Sequence, residues 1–181
     1  MNHLATSKED ILAASRDLIK ENGWAAVSIR AVASRCSVSA GTIYNYYESK
    51  ADLLSDTIES IWHEIFFHPE DEQIFHDVET CISWIYERLE YGNRQFPGFF
   101  SLHSFGFMRD EKTSGKKRMM KTWGHILNGL CEVLGNDPKV RTDVFDQEFT
   151  EKKFADILFS LILVSMIRQD YDPSSVLMLV K

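Results

Sequence analysis

Two short helix-forming segments, joined by only about four residues, constrain the fold of this chain more than any other feature. Ser28 can cap a helix that begins at Ile29, and Ser39 can cap the helix that follows it. The connection between these helices runs from Cys36 to Ser39. Because so short a turn forces two helices to cross steeply, residues 28–47 are predicted to form a helix-turn-helix.

Longer helices are predicted on both sides of this unit. The first follows a capping box made by Thr6 or Ser7 with Glu9 or Asp10, and it ends at Gly23. The fourth follows a similar box, with Ser49 as the cap and Asp52 three residues on. We therefore predict a three-helix domain over residues 1–50 and a second domain over residues 51–181.

Helical signals also dominate the second domain. Apolar residues recur at helical spacing over about 77–95, 119–134 and 148–169, and no segment shows sustained alternation of apolar and polar residues. A short tail follows Pro173. The predicted fold class is all-α.

Charge is spread unevenly along the chain. The net charge is −7, but residues 1–54 contain six Lys or Arg and six Asp or Glu, so the rest of the chain carries all of the excess negative charge. Only charges within a Debye length of about 8 Å act strongly on a phosphate. A neutral first domain in front of an acidic second one is therefore compatible with nucleic-acid binding.

The cysteines and the apolar segments favour a cytoplasmic protein without a membrane span. Cys36, Cys81 and Cys131 are widely separated and suggest neither a disulfide framework nor a CxxC metal site. The N-terminus has no apolar signal core. The longest apolar stretch, residues 154–167, is interrupted by polar residues and is shorter than the roughly 20 residues that span a bilayer.

A specific sequence pattern runs through residues 28–54. Its members are Ser28, Ile29, Arg30, Val32, Ala33, Val38, Ser39, Gly41, Thr42, Ile43, Tyr44, Tyr47, Lys50, Leu53 and Leu54. The pattern resembles the helix-turn-helix signature of the TetR/AcrR family of transcriptional regulators, over less than a third of the chain. Two positions depart from it: Ser37 stands where the family usually has Gly, and Tyr47 where it commonly has Phe.

The resemblance implies that the third helix enters the major groove of double-stranded operator DNA. The predicted DNA-contacting residues are Ser28, Arg30, Ser39, Ala40, Gly41, Thr42, Tyr44, Asn45, Tyr46 and Lys50. Small residues at the start of the third helix allow a close approach to the groove. Hydroxyl groups and the Lys50 ammonium suit phosphate oxygens, while the Arg30 guanidinium suits a guanine edge.

Neighbouring residues support other interpretations. Ile43 and Tyr47 are expected in the core, on the face opposite Thr42 and Tyr46. Arg35 fits a solvated surface charge as well as a phosphate contact.

The resemblance further implies that the second domain binds a small-molecule effector. Aromatic residues crowd this part of the chain, and the predicted ligand-binding residues are Trp62, Phe66, Trp84, Phe99, Phe100, Phe105 and Trp123. A pocket lined by rings and a filled aromatic core both explain this composition. We expect a largely apolar or aromatic effector that releases a repressor from its operator; the alternative is a regulator of the same fold without a small ligand, controlled by a protein partner or organising DNA.

Homodimerisation is the other implication. The helix over 154–167 is apolar nearly all round and needs cover on more than one side. The predicted interface residues are Trp123, Leu127, Leu130, Phe154, Leu158, Leu161, Ile162 and Ser165.

No pattern predicts catalysis, a cofactor or a metal site. His63-Glu64 followed by His68 has one residue too many for the HExxH zinc motif, so the two imidazoles would point apart on a helix. No Gly-rich phosphate loop, GxSxG elbow or catalytic triad is evident. We therefore expect a protein that is not an enzyme.

Overall fold

The computed structural model describes residues 6–67, 76–100, 114–141 and 143–181. Within these ranges every regular element is helical, which confirms the predicted all-α fold class. The helices are α1 (Lys8–Asn22), α2 (Ile29–Arg35), α3 (Ala40–Tyr44), α4 (Lys50–Phe66), α5 (Val78–Gln95), α6 (Ser114–Asn136), α7 (Glu151–Arg168) and α8 (Ser174–Val180), with a 3-10 turn at Trp24–Ala26. We call α1–α3 together with the cap and first turn of α4 the head, and α5–α8 the body; the rest of α4 connects them.

The predicted capping box starts α1 at Ser7. The Ser7 hydroxyl accepts a hydrogen bond from the backbone N–H of Asp10 at 3.1 Å, and the Asp10 carboxylate accepts one from the backbone N–H of Ser7 at 2.9 Å. Ile11 and Ile19 lie fully buried on the inner face of the helix. Gly23 follows α1 with a φ of +75°, a conformation that only glycine adopts without strain.

The helix-turn-helix is formed by α2 and α3. Ser28 caps α2, accepting a hydrogen bond from the backbone N–H of Ala31 at 3.1 Å. Ser37 lies in the turn with a φ of +57°, the left-handed conformation that glycine would adopt more easily. Ile43 is fully buried and Tyr47 is 4% exposed, which confirms that both belong to the core.

The third helix is shorter than the sequence predicts. α3 ends at Tyr44, and the backbone N–H groups of Asn45 and Tyr46 bond three residues back, to Thr42 and Ile43. These tighter bonds turn the chain toward the cap of α4. There Ser49 accepts a hydrogen bond from the backbone N–H of Asp52 at 3.1 Å, as predicted.

The connecting helix α4 packs closely on α5. A Cβ atom on Gly92 would lie only 2.6 Å from Cδ1 of Ile65, so glycine is what allows the two helices to approach at this point. Within the ranges described above, no helix has the length and apolar character needed to cross a bilayer.

Helices α6 and α7 bury more of their apolar residues within the single chain than the sequence suggests. Four residues predicted at a dimer interface face the interior of the single chain, which corrects the prediction for them: Leu130, Leu158 and Ile162 are at most 2% exposed, and the Ser165 hydroxyl shares a 2.9 Å hydrogen bond with Tyr86 on α5. Trp123, Leu127, Phe154 and Leu161 remain partly exposed.

The sequence predicts only a short tail after Pro173, but the structure has a helix there, so that prediction was wrong. α8 packs against α5 and buries Val176. It is only seven residues long, too short for helical periodicity to be visible in the sequence.

Candidate nucleic-acid interface

The start of α3 is held by side-chain hydrogen bonds. The Ser39 hydroxyl accepts from the backbone N–H of Thr42 at 3.2 Å and lies 3.0 Å from the Thr42 hydroxyl. Ala40 is partly buried, whereas Gly41 is exposed. These contacts present a small, hydroxyl-bearing surface that leaves room for a groove wall.

Long polar side chains are exposed around this surface. Arg30 on α2, Tyr44 on α3 and Asn45 just after it are all exposed, and Tyr44 is 56% exposed. None of these three side chains makes a hydrogen bond or an ion pair with another described residue. They are therefore available to an external partner.

Lys50 begins α4, directly after the Ser49 cap. Its side chain is exposed, and it too has no ion-pair partner among the described residues. The first turn of a helix carries the positive end of the helix dipole, so an anion beside Lys50 would meet two sources of positive potential.

The other four cations of residues 1–54 are paired. Lys8 bonds Asp56 at 2.6 Å. Arg16 and Lys20 share the carboxylate of Glu64, at 3.1 Å and 2.7 Å. Arg35 is the fourth and binds a carboxylate on α1. Arg30 and Lys50 are thus the two head cations that the described residues leave unpaired.

Arg35 lies in a fork-to-fork pair with Glu21. Both of its terminal nitrogens donate to that carboxylate, and the hydrogen bond lowers the pKa of Glu21. The sequence leaves Arg35 open as a solvated surface charge or a phosphate contact. In the structure it pairs with Glu21 and so joins α2 to α1.

Tyr46 is placed differently from the prediction. Its hydroxyl donates a 2.7 Å hydrogen bond to the backbone carbonyl of Thr6, and its side chain is partly buried. This hydrogen bond ties the chain just after α3 to the segment before α1, so we correct the assignment of Tyr46 as a DNA contact. No local sequence pattern indicates this partner, which lies 40 residues away.

The family comparison agrees with this geometry. Residues 11–57 match the family model described as bacterial regulatory proteins, tetR family. The N-terminal segment of this chain is therefore similar to the N-terminal domain of that family. The matched segment contains most of α1, all of α2 and α3, and the first part of α4, which are the elements that carry the candidate interface.

The same segment is similar to part of the HTH-type transcriptional regulator UidR of Escherichia coli K12. The two are 38% identical over 48 residues, which is 26% of this chain and 24% of UidR. The match therefore spans about a quarter of the relative's length. UidR is a transcriptional regulator, which agrees with the expectation that the chain is not an enzyme.

Solved structures extend the likeness in fold to the body. A transcriptional regulator from Rhodococcus sp. Rha1 aligns with a TM-score of 0.63 at 20% identity, over 93% of this chain and 86% of its own. FadR from Bacillus subtilis, solved in complex with stearoyl-CoA, aligns with a TM-score of 0.66 at 18% identity, over 96% of this chain and 97% of its own. Both share the fold of this chain along nearly its whole length.

The body holds a small apolar cavity of about 110 Å³ between α4, α5 and α6. It is lined by Phe66, Phe67, Cys81, Trp84, Ile85, His125 and Ile126. Two of the predicted ligand residues, Phe66 and Trp84, are among these. The other five lining residues were not predicted. Two of them, Cys81 and Ile85, lie within about one turn of Trp84 on α5.

The remaining ligand predictions fall elsewhere. Trp62, Phe99 and Phe100 are at most 4% exposed and pack edge-on or tilted against one another at 5.0–5.6 Å, so they form a filled aromatic cluster and not a pocket wall. Trp123 packs on Phe159 of α7 at 5.8 Å. Phe105 lies outside the described residues. The body therefore contains both a filled aromatic core and a small cavity.

The chemistry of the cavity is almost entirely apolar. Burial raises the pKa of the Cys81 thiol to about 12, so this sulfur stays protonated and unreactive at neutral pH. Across the described parts of the chain, no group of three or more His, Cys, Asp or Glu side chains could hold a metal ion.

Proposed function

We propose that this chain regulates transcription in the cytoplasm by binding operator DNA as a homodimer. The observation that carries the proposal is the distribution of cations on the head. Four are held in ion pairs, whereas Arg30 and Lys50 are exposed and unpaired among the described residues. Tyr44 of α3 and Asn45 just after it are exposed as well. A head that keeps these cations available for phosphate and base contacts suits DNA binding.

In this proposal the residues have distinct roles. Lys50 and the hydroxyls of Thr42 and Tyr44 contact phosphates and fix the register of the head. Gly41 lets α3 approach the groove. Arg30 and Asn45 read base edges, since their side chains can make bidentate contacts with guanine and adenine.

The first experiment is selection of bound fragments from genomic DNA, followed by titration of the selected operator at several salt concentrations. Lys50→Ala should weaken binding to all sequences alike and lower the slope of log affinity against log salt by about one. Lys152→Ala removes the same charge from an exposed position on α7 and should change neither quantity. An unchanged slope in Lys50→Ala would remove Lys50 from the interface, and a wild-type protein that enriches no sequence would contradict the proposal as a whole.

We further propose that a small, largely apolar effector fills the body cavity and releases a repressor from DNA. The apolar lining by Phe66, Trp84 and Ile85 supports such a ligand. The bound stearoyl-CoA of FadR makes acyl compounds one class to test. The test is displacement of the selected operator by a panel of small aromatic and acyl compounds, with Ile85→Trp as a variant that fills the cavity.

The second candidate is a regulator without a small ligand, controlled by a protein partner or organising DNA. The observation that favours it is the filled cluster of Trp62, Phe99 and Phe100, together with the small volume, about 110 Å³, of the apolar cavity that the described residues line. Under this candidate, Ile85→Trp would leave every DNA-binding response unchanged and no compound in the panel would displace the operator.

A further inference from the structure

Three helices meet at the last turn of α4, around Glu64. Its carboxylate forms ion pairs with two cations of α1, Arg16 at 3.1 Å and Lys20 at 2.7 Å. The three side chains are 16–30% exposed, so this pairing is only partly screened by water. Glu64 thus ties the second half of α1 to the end of α4, while Lys8 at the start of α1 pairs with Asp56 near the middle of α4.

The same turn is held from the other side by α5. The Arg88 guanidinium donates to the backbone carbonyls of Glu64, at 3.0 Å, and of Ile65. The last carbonyls of a helix lack partners within the helix, and a cation beside them also matches the negative end of its dipole. Arg88 therefore fixes the end of α4 on the body.

This turn also adjoins the cavity. Phe66 follows Ile65 and lines the cavity, while Trp84 and Ile85 line it one turn before Arg88 on α5. Lys20 in turn lies over the ring of Phe96, 4.9 Å from its centroid. A shift of α4 or α5 around the cavity would thus reach the Glu64 carboxylate and the two α1 cations that it holds.

We propose that Glu64 is a positioning residue that sets the orientation of the DNA-binding head on the body. It touches no DNA. It acts through Arg16 and Lys20, which it holds in place, and so links the position of α1 to the state of the cavity. The inference rests on the proposed function and adds to it the contact through which body and head communicate.

Electrostatics make the test discriminating. Removing a negative charge from a DNA-binding protein raises its affinity for DNA when the charge acts only through its field. Loss of a positioning contact has the opposite effect, because the freed head must be reordered on binding. Glu64→Gln is therefore expected to lower affinity for the selected operator about tenfold, a size within the usual range of coupling between sites.

Glu9→Gln is the matched control. It makes the same chemical change and also removes a carboxylate from Arg16, at 2.9 Å, but that contact lies within α1 and leaves the tie to α4 intact. Its operator affinity should stay equal to that of the wild type or rise. Lys20→Gln should lower affinity as Glu64→Gln does, and the double variant should lose no more than the larger of the two single losses.

A second readout needs no DNA. Amide hydrogen exchange over residues 16–22 should be faster in Glu64→Gln than in Glu9→Gln, because the last turns of α1 lose their tie to α4. Unchanged or increased operator affinity in Glu64→Gln, or an equal loss in Glu9→Gln, would overturn the inference. If the wild type enriches no sequence, the proposed function fails, and equal exchange in the two variants then decides against Glu64 independently.

Discussion

At the scale of single residues, Ser37 carries a visible strain. Its φ of +57° lies in the left-handed region, where a residue with a Cβ atom is less stable than glycine by about 1–2 kcal/mol. Glycine also makes the unfolded chain more flexible, and the greater loss of entropy on folding offsets part of that difference. Ser37→Gly should therefore raise the free energy of unfolding by up to about 1 kcal/mol, measured by urea denaturation.

Ser34 provides the control for this prediction. It is exposed on α2 in helical conformation, three residues before Ser37. There the same substitution should lower the free energy of unfolding by about 0.5 kcal/mol, because glycine is a poor helix former. Stabilisation by Ser34→Gly, or destabilisation by Ser37→Gly, would show that backbone conformation does not govern these positions.

Some residues of the candidate site can be predicted from the sequence, whereas others cannot. Ser37, Arg30 and Lys50 follow from local sequence, since turn geometry and helix starts depend on neighbours within a few residues. The tie of Tyr46 to Thr6 and the pairing of Glu64 with α1 depend on contacts between residues at least 40 positions apart. Such contacts are set by how helices pack, which no local pattern encodes.

At the scale of helices, Gly92 controls how closely α5 approaches α4. A Cβ atom there would meet Ile65 at 2.6 Å and Phe100 at 3.0 Å, and both neighbours are almost fully buried. Gly92→Ala should therefore lower the free energy of unfolding by about 1–2 kcal/mol, since overpacking outweighs the better helix propensity of alanine. Gly135 on α6 has open space around it, so Gly135→Ala should raise the same quantity by up to about 1 kcal/mol. Thermal and urea denaturation of both variants test this contrast.

The start of α5 predicts a dependence of stability on pH. Asp77 caps the helix, accepting from the backbone N–H of Thr80 at 2.8 Å, and pairs with Lys139. The hydrogen bond from Lys139, followed by that from Thr80, lowers the pKa of Asp77 to about 2 from its usual 3.8. A carboxylate with a lowered pKa contributes stability above its unfolded pKa and loses it as pH falls through the folded one.

Asp77→Asn keeps a good capping residue but cannot ionise. The wild type should be the more stable at pH 7, and this difference should vanish between about pH 4 and pH 2. In a Lys139→Gln background the difference at pH 7 should be smaller, because the main cause of the lowered pKa is gone. A difference between wild type and Asp77→Asn that stays constant across this range would contradict the assignment.

Helix starts were predictable because caps are local, whereas some helix ends were not. Ser7, Ser28, Ser39, Ser49 and Asp77 all mark their helices in the sequence. The early end of α3 and the existence of α8 were missed. Both are short elements, whose stability comes from packing more than from helical propensity.

At the scale of the whole molecule, the sequence indicates that α7 must be covered but not by what. A helix that is apolar nearly all round presents the same pattern whether its cover is its own chain or a partner. In the structure Leu158 and Ile162 face the interior, while Ile157, Val164 and Ile167 are 44–50% exposed. The outward face that remains is the part of α7 that a second copy would cover in the proposed homodimer.

Substitutions on the buried and the exposed face of α7 should have different effects. Val164→Asp should convert the dimer to a monomer of 20.9 kDa that stays folded, since the side chain is exposed in the single chain. Val144→Asp places the same charge at a similarly exposed valine outside the helices and should leave the dimer intact. Ile162→Asp should unfold the chain, because its side chain is 2% exposed and an ionised carboxylate there has no partner. Sedimentation equilibrium with circular dichroism separates these results. A monomeric wild type, or a dimeric Val164→Asp, would place the interface elsewhere, and a monomer could no longer span two half-sites about 34 Å apart.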